Sequence, residues 1–288
     1  MTREVKIANK YIGDNHPCFV IAEIGINHNG SLENAKKLID MAKSCGCDAV
    51  KFQKRTIELV YSKEELKTPR QSVFGETNED LKRGLEFGFE EYQAIDEYCK
   101  KKNILWFASC WDTKSVDFIE QFSVCAHKIS SACLTDIELL KKVKSTKKPI
   151  LLSTGMSTLD EIDNAVKILG EENLVIFHCT STYPSTNEEL NLKVIPYLKE
   201  KYSCPIGFSG HEKGIFPTEA SVLLGACAVE RHITLDRTMW GSDQSASLEM
   251  EGLRKMIRDI RNIPVILGDG KKIVYENEIP IKKKLRKY

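Results

Sequence analysis

Eight short apolar runs, each closed by a polar or glycine-containing tip and followed by a stretch of helical periodicity, constrain this chain more than any other feature. They are residues 19–24, 48–52, 104–108, 124–129, 149–152, 174–177, 205–208 and 227–230. Runs of this length, rich in Val, Ile and Phe, read as buried strands. Between them lie amphipathic segments such as 32–44, with Leu38, Ile39, Met41 and Ala42 on one face, and 158–169, with Leu159, Ile162, Val166 and Leu169 on one face. Eight alternating strand and helix units over about 250 residues match a (β/α)8 TIM barrel, whereas an open doubly wound sheet more often has fewer strands and a Gly-rich first turn. Residues 1–17 precede the first run and read as a short N-terminal β-hairpin, 5–8 and 11–13 around a polar turn, closing the barrel bottom. Residues 56–83, between the second and third runs, are polar, charged and weakly periodic, the character of a substrate loop or lid. The barrel is expected over 1–275, with 276–288 as a tail.

Charge narrows the partners. The 288 residues carry 42 Lys+Arg against 41 Asp+Glu, a net charge of +1, too even for a chain built around nucleic acid or an anionic membrane. No apolar stretch approaches the roughly 20 residues of a spanning helix, and Met1-Thr2-Arg3-Glu4 leads into no signal-peptide core. The expected address is cytoplasmic. The ten cysteines are scattered through apolar runs and read as reduced core residues. Cys45 and Cys47 cluster, but no second pair stands at zinc-site spacing.

Chemistry in such barrels sits at the C-terminal ends of the strands. There the sequence places Glu23, then Lys51 and Gln53, Lys128 with Ser130 and Ser131, Ser153-Thr154-Gly155, His178 with Thr180, Ser181 and Tyr183, Ser209-Gly210-His211-Glu212, and Glu230-Arg231-His232. Lys51 and Lys128 lie inside strand patterns, where a buried ammonium needs an anion. Each could pair with a carboxylate of the protein. Two lysines on separate strands, joined by Ser131, Ser153 and Ser209, point rather to a pocket for a phosphate or carboxylate ligand. His211 and His232 end neighbouring strands, roughly 5 Å apart, and could share one ion. Two imidazoles with open positions suit a Lewis-acidic Mn²⁺ or another divalent cation before Ca²⁺. Glu23 and Asp243 are the carboxylates placed to handle protons, although Ser-Asp sequences also begin helices.

These motifs resemble the sialic acid synthases, which condense phosphoenolpyruvate with an amino sugar. The similarity runs from Ala22-Glu23-Ile24-Gly25-Ile26-Asn27-His28-Asn29-Gly30 through Lys51-Phe52-Gln53, Ser153-Thr154-Gly155-Met156 and His178-Cys179-Thr180-Ser181 to Glu230-Arg231-His232-Ile233-Thr234-Leu235-Asp236. The resemblance implies that Lys51, Lys128, Ser131, Ser153, Ser181 and Ser209 hold phosphoenolpyruvate. It implies Mn²⁺ on His211 and His232, and an aldehyde sugar facing Glu23, Gln53, Tyr183 and Asp243. Bacterial members commonly have Asn at the position of Ser181, Asp at Gly210 and a carboxylate at Cys133, so this chain is more similar to the branch with 6-phosphorylated acceptors. Relatives continue into a small antifreeze-like domain that crosses a dimer and supplies an arginine to the N-acetyl group. Residues 276–288 resemble the linker leading there, which leaves open a homodimer of another kind or a separate partner carrying that domain. Two other readings stand beside a synthase: a metal-dependent pyruvate aldolase, and a non-catalytic sugar-binding subunit.

Overall fold

The computed structural model describes residues 3–287. Strands β1 (Glu4–Ile7) and β2 (Lys10–Gly13) form an antiparallel hairpin. Then β3 (Phe19–Gly25), α1 (Leu32–Cys45) and β4 (Ala49–Lys54) open the barrel. The long connection folds as α2 (Ile57–Val60), α3 (Lys63–Lys67), β5 (Pro69–Ser72), β6 (Gly75–Thr77) and α4 (Asn78–Leu85), before α5 (Phe89–Lys102) returns to β7 (Leu105–Cys110). The alternation continues with α6 (Thr113–Ile119), β8 (His127–Ile129), α7 (Ile137–Ser145), β9 (Ile150–Ser153), α8 (Leu159–Leu169), β10 (Leu174–Cys179), α9 (Val194–Lys201), β11 (Ile206–Gly210), α10 (Phe216–Leu223), β12 (Ala228–His232) and α11 (Met250–Leu267), followed by α12 (Ile279–Leu285). Strands β3, β4 and β7 to β12 close into one parallel barrel in chain order, with β12 pairing β3. The eight runs expected from sequence are these eight strands.

Closure explains the apolar character of the runs. Every residue of β3, β10 and β12 is buried, because helices cover the outer face and neighbouring strands fill the inside. Helix ends are marked locally. The Ser31 hydroxyl accepts from the Asn34 N–H at the start of α1, and Thr158 and Glu161 form a reciprocal capping box on α8. The hairpin seals the bottom as expected: Val5, Ile7 and Ile12 join the core, and Arg3 donates to the carbonyls of Lys199 and Tyr202 at the end of α9.

The 56–83 segment differs from the irregular loop its weak periodicity suggests. It carries a β-hairpin and three short helices. It buries few apolar side chains, mainly Ile57, Leu66 and Leu81. Capping boxes at Ser62/Glu65 and Thr77/Asp80 set its helix starts instead, so order here leaves little hydrophobic pattern. Beyond Ile263 every described residue is exposed. Among the described residues no helix is long and apolar enough to cross a membrane.

Candidate active site

Register brings the strand-end residues together. His232 on β12 stands opposite Glu23 on β3, and Glu23 stands opposite Lys51 on β4; Ser209 faces Glu230 across β11 and β12, and Ser109 faces Lys128 across β7 and β8. The β3–β4 register shifts between Glu23 and Gly25. Gly25 has φ +54°, and a Cβ there would lie 3.0 Å from both Gln53 Nε2 and Glu23 Oε1. A side chain would be strained by the backbone and crowd the carboxylate it helps place.

These residues enclose a cavity of about 240 Å³ at the C-terminal mouth of the barrel. Glu23, Lys51, Gln53, Lys128, Ser131, Ser153, Ser181, Tyr183, Ser209, His211 and His232 all line it. Asp243 does not line it but stands beside it, Oδ2 lying 3.8 Å from His232 Nδ1 and Oδ1 accepting from the Ser242 hydroxyl at 2.7 Å. Its carboxylate does not cap the short turn Gln244–Ala246 that follows, so capping does not account for it.

The two lysines are paired within the protein. Lys51 Nζ lies 2.9 Å from Glu23 Oε2 and 3.6 Å from Glu230 Oε1, and donates to Ser109 Oγ at 2.8 Å. Lys128 Nζ donates to Glu230 Oε2 at 2.7 Å. The sequence argument that both lysines wait for a ligand anion is corrected to that extent: buried ammonium groups must be neutralised in the folded chain itself. Glu230, read at its strand end but given no role, supplies that charge. Burial would raise the Glu230 pKa, yet Lys128 and Lys51 outweigh it and lower it to about 2. Burial disfavours the Lys51 ammonium, and Glu23 and Glu230 overcome this to raise its pKa; for Lys128 burial, aided by repulsion from Lys51, wins and lowers it. The quartet is nonetheless incompletely satisfied. Glu23 Oε1 accepts from Gln53 Nε2 at 2.8 Å, but Oε2 accepts no hydrogen bond, since Lys51 approaches it as an ion pair outside hydrogen-bond alignment. Its charge is met by Lys51, and a remaining lone pair faces the cavity with no protein donor.

The histidines are open in the same sense. His211 Nδ1 lies 2.7 Å from the Thr180 carbonyl, which can only accept. The proton is thereby assigned to Nδ1, and the Nε2 lone pair is left free. Burial, then proximity to His232, lowers the His211 pKa to about 3, keeping the ring neutral at pH 7. His232 Nδ1 is buried without a hydrogen-bond partner. The ring centroids are 5.5 Å apart, inside the roughly 6.5 Å within which two imidazoles with bonds of about 2.1 Å can meet one ion. Donor type, tautomer and spacing therefore fit a divalent cation held by two nitrogens. Among the described residues no group of three His, Cys, Asp or Glu side chains is placed to hold one, so other ligands would have to come from substrate or water. Tyr183 covers His211 at 4.1 Å between ring centroids.

On the far wall the Gly155 N–H is 3.0 Å from Ser131 Oγ, and a Cβ on Gly155 would come within 2.2 Å of Ser181 Oγ. The Gly155 N–H is taken up by Ser131 Oγ and by Cys179 Sγ at 3.1 Å, and only glycine leaves room for the Ser131 and Ser181 hydroxyls to gather here, two donors suited to an oxyanion. Ser109, Trp111 and Ala132 also line the cavity and were not named from sequence, and Ser130 and Met156, named there without a role, line it too. For Ser109 and Trp111 the signal was present: the third run continues to Cys110, two residues past its apolar part, and the strand-end rule applied there would have reached them.

Comparison with known proteins follows the same lines. The sequence pattern described as the NeuB family matches residues 38–272. The chain is 39% identical over 283 residues to the N-acetylneuraminate-9-phosphate synthase of Homo sapiens, covering 96% of this chain and 79% of that protein. It is 33% identical over 285 residues to the N,N'-diacetyllegionaminic acid synthase of Legionella pneumophila, covering 96% and 80%. The crystal structure of an N-acetylneuraminic acid (sialic acid) synthetase from Leptospira borgpetersenii, in complex with citrate, superposes with TM-score 0.86 at 34% identity over 100% of this chain and 99% of that one.

Proposed function

The chain belongs to the NeuB family, and from that premise we propose that it condenses phosphoenolpyruvate with an N-acylated or phosphorylated hexose-type aldehyde, N-acetylmannosamine or its 6-phosphate, giving a nonulosonic acid and inorganic phosphate. The observation that carries the reading is the pair of buried lysines from separate strands opening into one cavity beside the Ser131 and Ser181 hydroxyls. Such a site sets ammonium and hydroxyl donors for a small polyanion on one side and the neutral histidines on the other.

In this reading Lys51 and Lys128, whose charges Glu23 and Glu230 already meet, turn their ammonium hydrogens to the oxygens of phosphoenolpyruvate, and Ser131, Ser153, Ser181 and Ser209 donate to those oxygens as well. His211 and His232 would hold Mn²⁺ or another divalent cation, which when bound supplies Lewis-acid polarisation of the aldehyde. The enol π bond forms the new C–C bond to the aldehyde carbon, and the aldehyde oxygen takes a proton. Water adds at the cationic C2, and cleavage of the C2–O bond expels phosphate and leaves the ketone. Glu23 Oε2, with one lone pair beside Lys51 and another toward the cavity, takes the proton from that water, while Gln53 fixes the other oxygen. Tyr183 and Asp243 border the acceptor sugar. The ten free cysteines support a reducing, cytoplasmic setting.

The test is phosphate release that requires phosphoenolpyruvate, an aldehyde sugar and Mn²⁺ together. Release without acceptor, or none across a sugar panel, overturns the reading. A pyruvate aldolase would need no phosphoenolpyruvate and would survive Lys51→Met; a sugar-binding subunit would show calorimetric binding without product.

A further inference from the structure

The two cavity histidines sit on different kinds of backbone. His232 ends β12, whose ladder with β3 runs as far as the His232–Glu23 pair, and its carbonyl accepts from the Leu248 N–H at 2.8 Å. His211 lies one residue beyond β11, whose last pairing with β12 sets Gly210 opposite Arg231. Past that pair the β11–β12 ladder has ended. The separation of the two imidazoles then depends on how the turn 211–214 is held against β12.

Arg231 does that holding. Side chains alternate along a strand, and since Glu230 and His232 face the cavity, Arg231 points outward, toward α10. It is fully buried there, as is Glu212. Its Nη2 donates to the Glu212 carbonyl at 2.7 Å; its Nη1 donates to Glu212 Oε1 at 2.7 Å, to the Gly214 carbonyl at 2.9 Å and to Thr218 Oγ1 of α10 at 3.0 Å. Thr218 in turn donates to Glu212 Oε1 at 2.6 Å. One planar guanidinium on the residue before His232 thus grips two carbonyls and a carboxylate of the turn that carries His211. Gly210 makes room for this arrangement, because a Cβ there would lie 2.3 Å from Glu212 Oε2.

Stability alone does not account for the pair. Two fully buried charges are costly to desolvate, and apolar side chains of similar volume often serve a fold as well or better. Glu212 Oε2 and Arg231 Nε are, moreover, buried without hydrogen-bond partners. What apolar contacts lack is direction: a guanidinium fork fixes its acceptors at set distances and angles.

We propose that Arg231, paired with Glu212, is a positioning residue that fixes His211 against His232 at the spacing where both imidazoles reach one divalent cation. The inference rests on the metal reading above and is independent of which acceptor the enzyme uses.

The experiment titrates Mn²⁺ into wild type, H211A, R231M/E212L, R231K and D48A without substrates, reading free Mn²⁺ by electron paramagnetic resonance, with circular dichroism and melting temperature recorded alongside. R231M/E212L removes both charges together and leaves neither unpaired. Wild type is expected to bind Mn²⁺ and H211A to lose that binding. Folded R231M/E212L should bind Mn²⁺ about 10- to 100-fold more weakly than wild type, and R231K, which keeps the charge without the fork, should lose less. D48A breaks a charge cluster at the other end of the barrel, so it should lower the melting temperature and leave Mn²⁺ affinity unmoved. Unaltered affinity in folded R231M/E212L, or an equal loss in D48A, overturns the proposal and leaves the metal reading standing. Absence of binding to wild type overturns both. Should R231M/E212L not fold, R231K decides: weaker Mn²⁺ binding sustains the proposal and unaltered binding overturns it.

Discussion

The two ends of the barrel carry similar charged side chains and use them differently. At the bottom, Asp48 accepts from the Val20 N–H at 2.8 Å, from Arg261 Nη2 at 2.8 Å and from Lys10, while Lys199 donates to Asp14 at 2.7 Å. These groups satisfy one another and tie the hairpin and α11 to the strands. At the mouth, His232 Nδ1 is buried without a hydrogen-bond partner, and Glu23 Oε2 meets only the Lys51 ammonium. Capacity closed within the protein serves stability; capacity left open at a concave mouth serves a ligand.

The largest effect that would break this contrast concerns the open histidines. His211→Ala is expected to lower turnover by more than about 10³-fold while the melting temperature hardly moves; an active variant would refute the metal assignment. Next comes the open carboxylate. Glu23→Gln keeps the shape but removes the proton acceptor, and steady-state kinetics should show kcat down by about 10²- to 10⁴-fold, with the KM for phosphoenolpyruvate changed only a few-fold. At the closed end the signs reverse: Asp48→Ala should cost about 2–3 kcal/mol in urea unfolding and leave kcat/KM of the folded enzyme within about twofold. A further test separates a filled histidine from the open pair. His28, whose Nδ1 accepts from the Gly30 N–H and whose ring stacks on Phe87 at 4.0 Å, has its pKa lowered by burial to about 3. The unfolded chain binds this proton below about 6.5 and the folded chain does not. Its stabilising contribution is therefore complete above that pH and lost as pH falls toward 3, at up to about 1.4 kcal/mol per pH unit. Denaturation across pH 7 to 4 should be shallower for His28→Gln; an identical slope would show that His28 is not held neutral.

Legibility followed the same division. The barrel was visible because fully buried parallel strands leave continuous apolar runs, as in residues 19–24 and 174–177, and strand ends then pointed to Lys51, Lys128, His211 and His232. The insertion was not visible as structure, because capping boxes at Ser62 and Thr77 rather than an apolar face hold it. The place of Glu230 was hidden for another reason. Its sequence neighbours show a strand-end carboxylate, but its bridging of lysines from β4 and β8 is a contact across the barrel interior.

The amino-acid sequence alone determined the eight-unit alternation, the strand ends that carry polar side chains, and the family, since these depend on local pattern and residue order. Tertiary structure decided which of those side chains neutralise each other and which remain open. Register and barrel closure put His232, Glu23 and Lys51 in adjacent rows and paired Lys128 with Glu230. Such partnerships depend on distances of a few ångströms between residues far apart in the chain, 102 positions for Lys128 and Glu230, which a one-dimensional pattern does not encode.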